Sequence, residues 1–210
     1  MEIADRTLLV ATGNPHKVEE IEGVLGPLGF RLEGLGSVGR DLPEPEEDGE
    51  TFEANARIKA VAYARMTGRR CLADDSGLEV DALDGAPGVR SARFAGIGAT
   101  RSERDAANNA LLLERLRGVP AARRHARFVC AMCVADPDGT IVAESRGTFP
   151  GVILDAPRGT NGFGYDPLLF LPAEGRSSAE LTADEKNARS HRGHAARLIA
   201  LRLAPAGSRS

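Results

Sequence analysis

Two carboxylates stand side by side at Asp74 and Asp75, followed by Ser76 and Gly77. Adjacent residues on a strand point to opposite faces. One carboxylate can therefore face a site while its neighbour makes a structural hydrogen bond. A carboxylate at a strand end suits Mg2+, a hard cation that keeps several waters and needs only one or two carboxylates beside substrate phosphates. Gly77 permits close backbone approach. The same four residues also read as a plain Asx turn. An acidic loop upstream, running through Glu44, Glu46, Glu47 and Asp48 to Glu53, is a second source of metal-binding oxygen. Most of its acids are expected to be a solvated charge run, with one or two left to function.

Cationic and flat side chains stand elsewhere. Thr12, Gly13, Asn14, Pro15, His16 and Lys17 lie between an apolar run and a helical pattern. A turn ahead of a helix offers unpaired N–H groups and the positive end of the dipole, and Lys17, one turn in, can reach back to a phosphate. The stretch matches neither G-x-x-x-x-G-K-[ST] nor G-x-G-x-x-G, and a capped turn with a solvated lysine reads equally well. Phe163, Gly164, Tyr165 and Asp166 follow Gly162; two of the chain's nine aromatics sit here among glycines that let a flat ligand approach. Phe163 could stack on a base, or the pair could be core aromatics at a turn. Lys186, His191 and Arg192 end the series. On an unbroken helix Lys186 and His191 lie ~140° apart, so a shared site requires a break near Ser190; a basic helix face is the alternative.

The cation bias sharpens the reading. Of 27 Lys and Arg residues only Lys17, Lys59 and Lys186 are lysine. Where arginine is the default, a retained lysine suggests a need for a compact, rotatable ammonium. The net charge of −3 gives no basic excess to neutralise a polynucleotide, so nucleic acid is not expected as a partner. No apolar run approaches the ~20 residues of a membrane helix. The acidic start, Met1–Arg6, lacks the layout of a signal peptide, so a cytoplasmic protein is expected. The three cysteines, Cys71, Cys130 and Cys133, are then unlinked. Cys130-Ala-Met-Cys133 resembles half of a zinc or redox site, but no second pair completes it, so buried strand cysteines are expected.

These residues need elements to hold them. Thr7–Ala11 reads as a buried strand and Pro15–Leu28 as a helix, with Asn14 as cap and Pro15 in its first turn. Phe30–Leu35 reads as a strand, and Glu50–Met66 as a helix ended by Gly68. Arg70–Ala73 is a strand that runs into the acidic pair and resumes at Leu78–Val80. Thr100–Leu116 is an amphipathic helix capped by Thr100 or Ser102, with Ala106, Leu112, Leu113 and Leu116 along one side. Ala126–Ala135 and Thr140–Phe149 form a hairpin about Asp136-Pro-Asp-Gly139, which Gly151–Ile153 extends. Leu168–Leu171 is a short strand. Thr182-Ala-Asp-Glu185 is a capping box, and a second helix runs from His191 to Leu203. Early alternation followed by a hairpin predicts an α/β fold with a mixed sheet and phosphate chemistry at strand ends. At 210 residues one domain over 1–210 is expected.

Five stretches, "TGNPHK", "EEDGETFEANARIKA", "ADDSGLEVDALDGAPGVRSARFAG", "GTNGFGYDPLLFLP" and "AELTADEKNARSHRG", run in order from residue 12 to 193. Together they resemble the inosine/xanthosine triphosphate pyrophosphatases, which hydrolyse aberrant purine nucleoside triphosphates such as ITP, dITP and XTP to the monophosphate and pyrophosphate. The resemblance implies a mixed central β-sheet with flanking helices, two lobes around a nucleotide-binding cleft, a homodimer and Mg2+. It implies that Thr12–Lys17 hold the triphosphate and that Lys59 assists. Asp75 would be the catalytic base and a metal ligand, with Glu47 as the second ligand and Glu44 as its rival. Ser76 would touch substrate; Phe163, Gly164, Tyr165, Asp166, Lys186, His191 and Arg192 would form the base pocket. His16 departs from the small residue often found at its place. Two other readings stay open: a pyrophosphatase for modified pyrimidine or ordinary nucleotides, and a module that senses nucleotides without turnover.

Overall fold

The computed structural model describes residues 6–39 and 41–204; the acidic start, Met1–Asp5, lies outside them. Its seven-stranded sheet has the order β2-β1-β3-β4-β5-β6-β7. The strands are β1 (Thr7–Val10), β2 (Arg31–Gly34), β3 (Cys71–Val80), β4 (His125–Ala135), β5 (Ile141–Ile153), β6 (Leu169–Leu171) and β7 (Arg176–Ser177). β1 pairs in parallel with β2 and β3, whereas β6 pairs antiparallel with β5 and β7, so the sheet is mixed. The flanking helices are α1 (Pro15–Leu25), α2 (Phe52–Thr67), α3 (Arg101–Arg115), α4 (Ala183–Arg189) and α5 (His191–Leu203). Among the described residues no helix is long and apolar enough to cross a membrane.

The chain divides into two compact units, one of Met1–Asp75, Cys130–Gly147 and His191–Ser210, the other of Ser76–Val129 and Thr148–Ser190. In the first, α1 connects β1 to β2 on one side of β1, and α2 connects β2 to β3 on the other. The winding therefore reverses beside β1, and ligands of open α/β sheets bind outside the carboxyl ends of strands at such a reversal. The core of this unit joins Leu8 and Val10 of β1, Ile21 and Leu25 of α1, Leu72, Met132 and Val134, with Ala195, Ala196 and Ile199 of α5. Cys71, Cys130 and Cys133 are free and buried; burial pushes the Cys133 thiol up to about 12. They pack as apolar residues, as the sequence predicts.

In the second unit Leu112 and Leu116 meet Leu78, Phe128, Phe149, Tyr165 and Leu168. Ala106, expected on this apolar side, is exposed, because the first turns of α3 lie outside the core. Thr100 is the cap, in a full capping box with Glu103. The helix expected over Pro15–Leu28 stops being α-helical at Leu25, and Gly26–Leu28 form a 3-10 turn. β3 passes without interruption through the acidic pair, so the Asx turn is overturned; its burial and strand pairing outweigh the low β propensity of aspartate. Gly77 does permit close approach, but by the chain itself: an added Cβ would lie 2.3 Å from Ser91 Oγ and 2.7 Å from Gly88 O. β7 gave no signal, since two residues carry no period.

α4 opens on the expected capping box of Thr182 and Glu185. Arg176 on β7 donates to both Glu185 oxygens, at 2.8 and 3.2 Å. With the capping bond, this pair holds the Glu185 carboxyl down at about 2. A carboxyl depressed in the folded state contributes stability above its unfolded value, and that contribution fades as pH falls through the folded value. Arg176→Ala should therefore lower the melting midpoint slightly at pH 7, because the pair is only half-buried and water still screens it. The difference from the parent should shrink as pH falls from about 4.5 towards about 2. Melting curves across that range check it; a constant difference refutes it.

Candidate active site

In the first unit the turn after β1 is built by its own side chains. Thr12 Oγ1 accepts from the Asn14 N–H at 3.2 Å, and Asn14 Oδ1 accepts from the His16 N–H at 3.2 Å, so Asn14 caps α1 with Pro15 in the first turn. Asn14 is buried, and its Nδ2 has no hydrogen-bond partner among the described residues. Gly13, Pro15 and His16 are exposed. Lys17 does not trail into solvent: its Nζ lies 3.0 Å from Asp74 Oδ2.

Register explains that contact. β3 pairs with β1 through Leu9–Cys71 and Val10–Leu72. Asp74 and Asp75 continue β3 just past the end of β1, beside the turn that launches α1. Their carboxylates then part. Asp74 Oδ2 accepts from Arg192 Nε and Nη2 at 3.3 and 3.1 Å, besides Lys17. Arg192, 1% exposed, also donates to Glu20 from Nη1. Burial alone would raise the Asp74 carboxyl, yet Lys17, Arg192 and Lys59 hold it well below the usual carboxylate range. Asp74 Oδ1 has no hydrogen-bond partner among the described residues.

Asp75 belongs to α2. Asn55 and Lys59, four residues apart on one helix face, meet its two oxygens: Asn55 Nδ2 donates to Oδ2 at 3.3 Å and Lys59 Nζ to Oδ1 at 3.1 Å. The helix starts at the Thr51 cap and presses Ala56, Ala60 and Ala64 inward, small residues that let its backbone come close. Lys59 also donates to Glu47 Oε2 at 3.0 Å, and Asn55 Oδ1 accepts from the Gly49 N–H at 2.9 Å. Two bonds thus tie the acidic loop to Asp75. Glu44 is exposed. Burial raises the Asp75 carboxyl above its ordinary value in spite of Lys59 and Lys17. Burial works against the Lys59 charge, but Asp75, Asp74 and Glu47 outweigh it and raise its pKa.

The second unit holds Ser76, half-buried on β3, and the Phe163–Asp166 loop. Asp166 organises that loop. Its Oδ2 accepts from the Phe163 N–H at 2.8 Å and from Lys186 Nζ at 2.6 Å, and its Oδ1 from Ser178 Oγ at 2.7 Å. Gly162, at φ +76°, is required here: an added Cβ would lie 2.2 Å from Asp166 Oδ2. Lys186 Nζ stands 5.0 Å from the Phe163 ring centroid. Tyr165 is buried and its hydroxyl donates to Ser91 O at 2.9 Å. The helix breaks at Ser190, as expected, with Lys186 ending up in the second unit and His191 and Arg192, which open α5, in the first.

Sequence reasoning missed Asn55, Glu20 and Ser178. A signal existed for Asn55, an amide four residues before Lys59 within an alanine-rich helix. None existed for Glu20, whose partner is 172 positions away.

Residues 8–201 match the model of the Ham1 family. The chain is 54% identical over 198 residues to the dITP/XTP pyrophosphatase of Exiguobacterium sp. (strain ATCC BAA-1283 / AT1b), covering 94% of this chain and 97% of that one. It is 52% identical over 192 residues to the dITP/XTP pyrophosphatase of Geobacter sulfurreducens, with 91% and 94% covered. Its fold superposes on a HAM1 protein from Coxiella burnetii with a TM-score of 0.82 at 38% identity, over 94% of this chain and 98% of that one. The chain belongs to the Ham1 family.

Proposed function

We propose that this chain hydrolyses aberrant purine nucleoside triphosphates, the class of dITP, ITP and XTP, to the monophosphate and pyrophosphate, both units serving one catalytic domain over 1–210. The carrying observation is the Glu47–Lys59–Asp75 arrangement beside the Asn14-capped turn, in a chain half identical to enzymes that bear that activity in their names. Cytoplasmic placement and a homodimer complete the reading, by the resemblance of its motifs.

Mg2+ fits the residues present. Glu47 and Asp75 offer hard oxygen donors, both already drawn to one cation at Lys59, and a magnesium site asks for no more than two carboxylates beside phosphate oxygens. When bound, Mg2+ neutralises phosphate charge and lowers the pKa of coordinated water. The chain supplies the rest. Asp75, fixed by Asn55 and Lys59, orients water for attack on the α-phosphorus and takes its proton at a carboxylate oxygen. Asn14 Nδ2, buried without a hydrogen-bond partner among the described residues, donates to a phosphate oxygen, which repairs an otherwise costly unpaired group. Lys17 and Lys59 offset charge on the departing pyrophosphate. Thr12, Gly13, Pro15 and His16 line the phosphate side, and Ser76 touches substrate.

Selectivity follows from donors. Hypoxanthine and xanthine present an acceptor at position 6 where adenine presents an amine. Lys186 and Arg192 can only donate, so an adenine amine would face a donor. Phe163 stacks on the base, and Gly164, Tyr165, Asp166 and His191 complete the pocket.

Two measurements test the reading. Purified protein should release pyrophosphate, and no free phosphate, from dITP, ITP and XTP at rates at least ~100-fold above ATP, with activity lost on chelation and restored by Mg2+. Equal turnover of ATP overturns the selectivity, and absence of pyrophosphate release overturns the activity. Asp75→Asn should lower kcat by about 10²- to 10⁴-fold while the monophosphate still binds; turnover close to the parent's would remove Asp75 from the chemistry.

A further inference from the structure

Leu112, in the last turn of α3, and Leu116, the residue that caps its C-terminal end, enter the core. Its N-terminal half buries little: Arg101 and Arg104 are exposed and Asp105 is half-buried. That half instead carries a polar row, Arg101, Asp105 and Asn109, spaced by four residues and so aligned on one face. All three meet the Phe163–Asp166 loop of the same unit. Asp105 Oδ2 accepts from the Gly164 N–H at 3.0 Å. One turn on, Asn109 Nδ2 donates to Gly164 O at 3.0 Å. Arg101 sets its guanidinium carbon 5.2 Å from the centroid of the Phe163 ring, within cation–π range.

The clamp grips a residue that could not hold itself. Gly164 has φ +62° and no side chain, and Gly162, two residues before, has φ +76°. A loop of such glycines has many accessible conformations, so the place of Phe163 depends on what its backbone is tied to. Asp166 ties the Phe163 N–H from one side; Asp105 and Asn109 tie both polar groups of the next residue. Asn109 keeps its amide turned to Gly164 although its Oδ1 then has no hydrogen-bond partner among the described residues.

We infer that Asp105 and Asn109 are positioning residues for the purine base: with Arg101 they form a row on α3 that fixes Phe163 in the orientation a base stacks on. The inference rests on the proposed purine nucleotide substrate. It assigns α3 a part in substrate affinity, on the base side alone.

The test compares ligands with and without a base. Inosine monophosphate and pyrophosphate are titrated calorimetrically against the whole protein and against Asp105→Ala, Asn109→Ala and Asp105→Asn, with folding checked by melting curves. The alanine variants should bind inosine monophosphate about 10- to 100-fold more weakly, the scale of a small misplacement, and pyrophosphate as the parent does. Their KM for dITP should rise by a similar factor while kcat changes little. Asp105→Asn, whose amide oxygen still accepts, should restore most of the affinity. Unchanged monophosphate binding in a folded variant, or equal weakening of both ligands, overturns the clamp. If the parent turns over dITP in either case, the clamp alone has failed. If the parent neither binds inosine monophosphate nor hydrolyses dITP, the substrate reading fails and takes the clamp with it.

Discussion

Each of the two carboxylates at the middle of β3 is buried, and a buried charge persists only where opposite charge and hydrogen bonds replace its water. Asp74 and Asp75 are neighbours in sequence, so strand geometry sends them to different partners. Asp74 draws Lys17 from α1 and Arg192 from α5; Asp75 draws Asn55 and Lys59 from α2. Three helices of the first unit thus converge on two adjacent residues. The order β2-β1-β3 makes this possible, because it places the carboxyl end of β1, with its Asn14-capped turn, beside them. Electrostatics and topology are one constraint here: another strand order would leave the carboxylates without cations.

The second unit repeats the principle with a single carboxylate. Asp166 gathers an ammonium, a hydroxyl and a backbone N–H onto its two oxygens. The result is an ordered loop where the glycines alone would leave a disordered one. The two units therefore differ in what their buried acids do. In the first, two adjacent acids gather cations from three helices; in the second, one acid gathers a lysine, a hydroxyl and a loop N–H.

What the sequence made legible is mostly what is local. The Asn14 cap, the capping box at Thr182, the Asp-Gly turn before β5 and the Gly68 stop each rest on residues within a few positions, and each stands in the structure. Fold class followed from the order of such elements. The acidic pair was legible as chemistry, since two aspartates in an apolar strand invite explanation. Its continuity as a strand was not, because pairing with distant strands outweighs the residues' own preference. The partners of Asp74 escaped for the same reason: Lys17 and Arg192 are 57 positions before it and 118 after it. The polar row of α3 escaped because charged residues early in a helix read as a solvated face until the loop they touch is seen.

The lysines invite one last consequence. Lys17 rests on Asp74, Lys59 on Asp75 and Glu47, and Lys186 on Asp166, and the chain has no others. Every side-chain primary amine of the protein therefore lies against one of these acids. A probe selective for such amines, whether an acylating reagent or an isotopic methyl group introduced by reductive alkylation, addresses these three acid-bound side chains and, apart from the amino terminus, no other amine of the chain. Three methylated-lysine resonances would report on Asp74, on the Asp75–Glu47 pair and on Asp166 independently, without a single substitution.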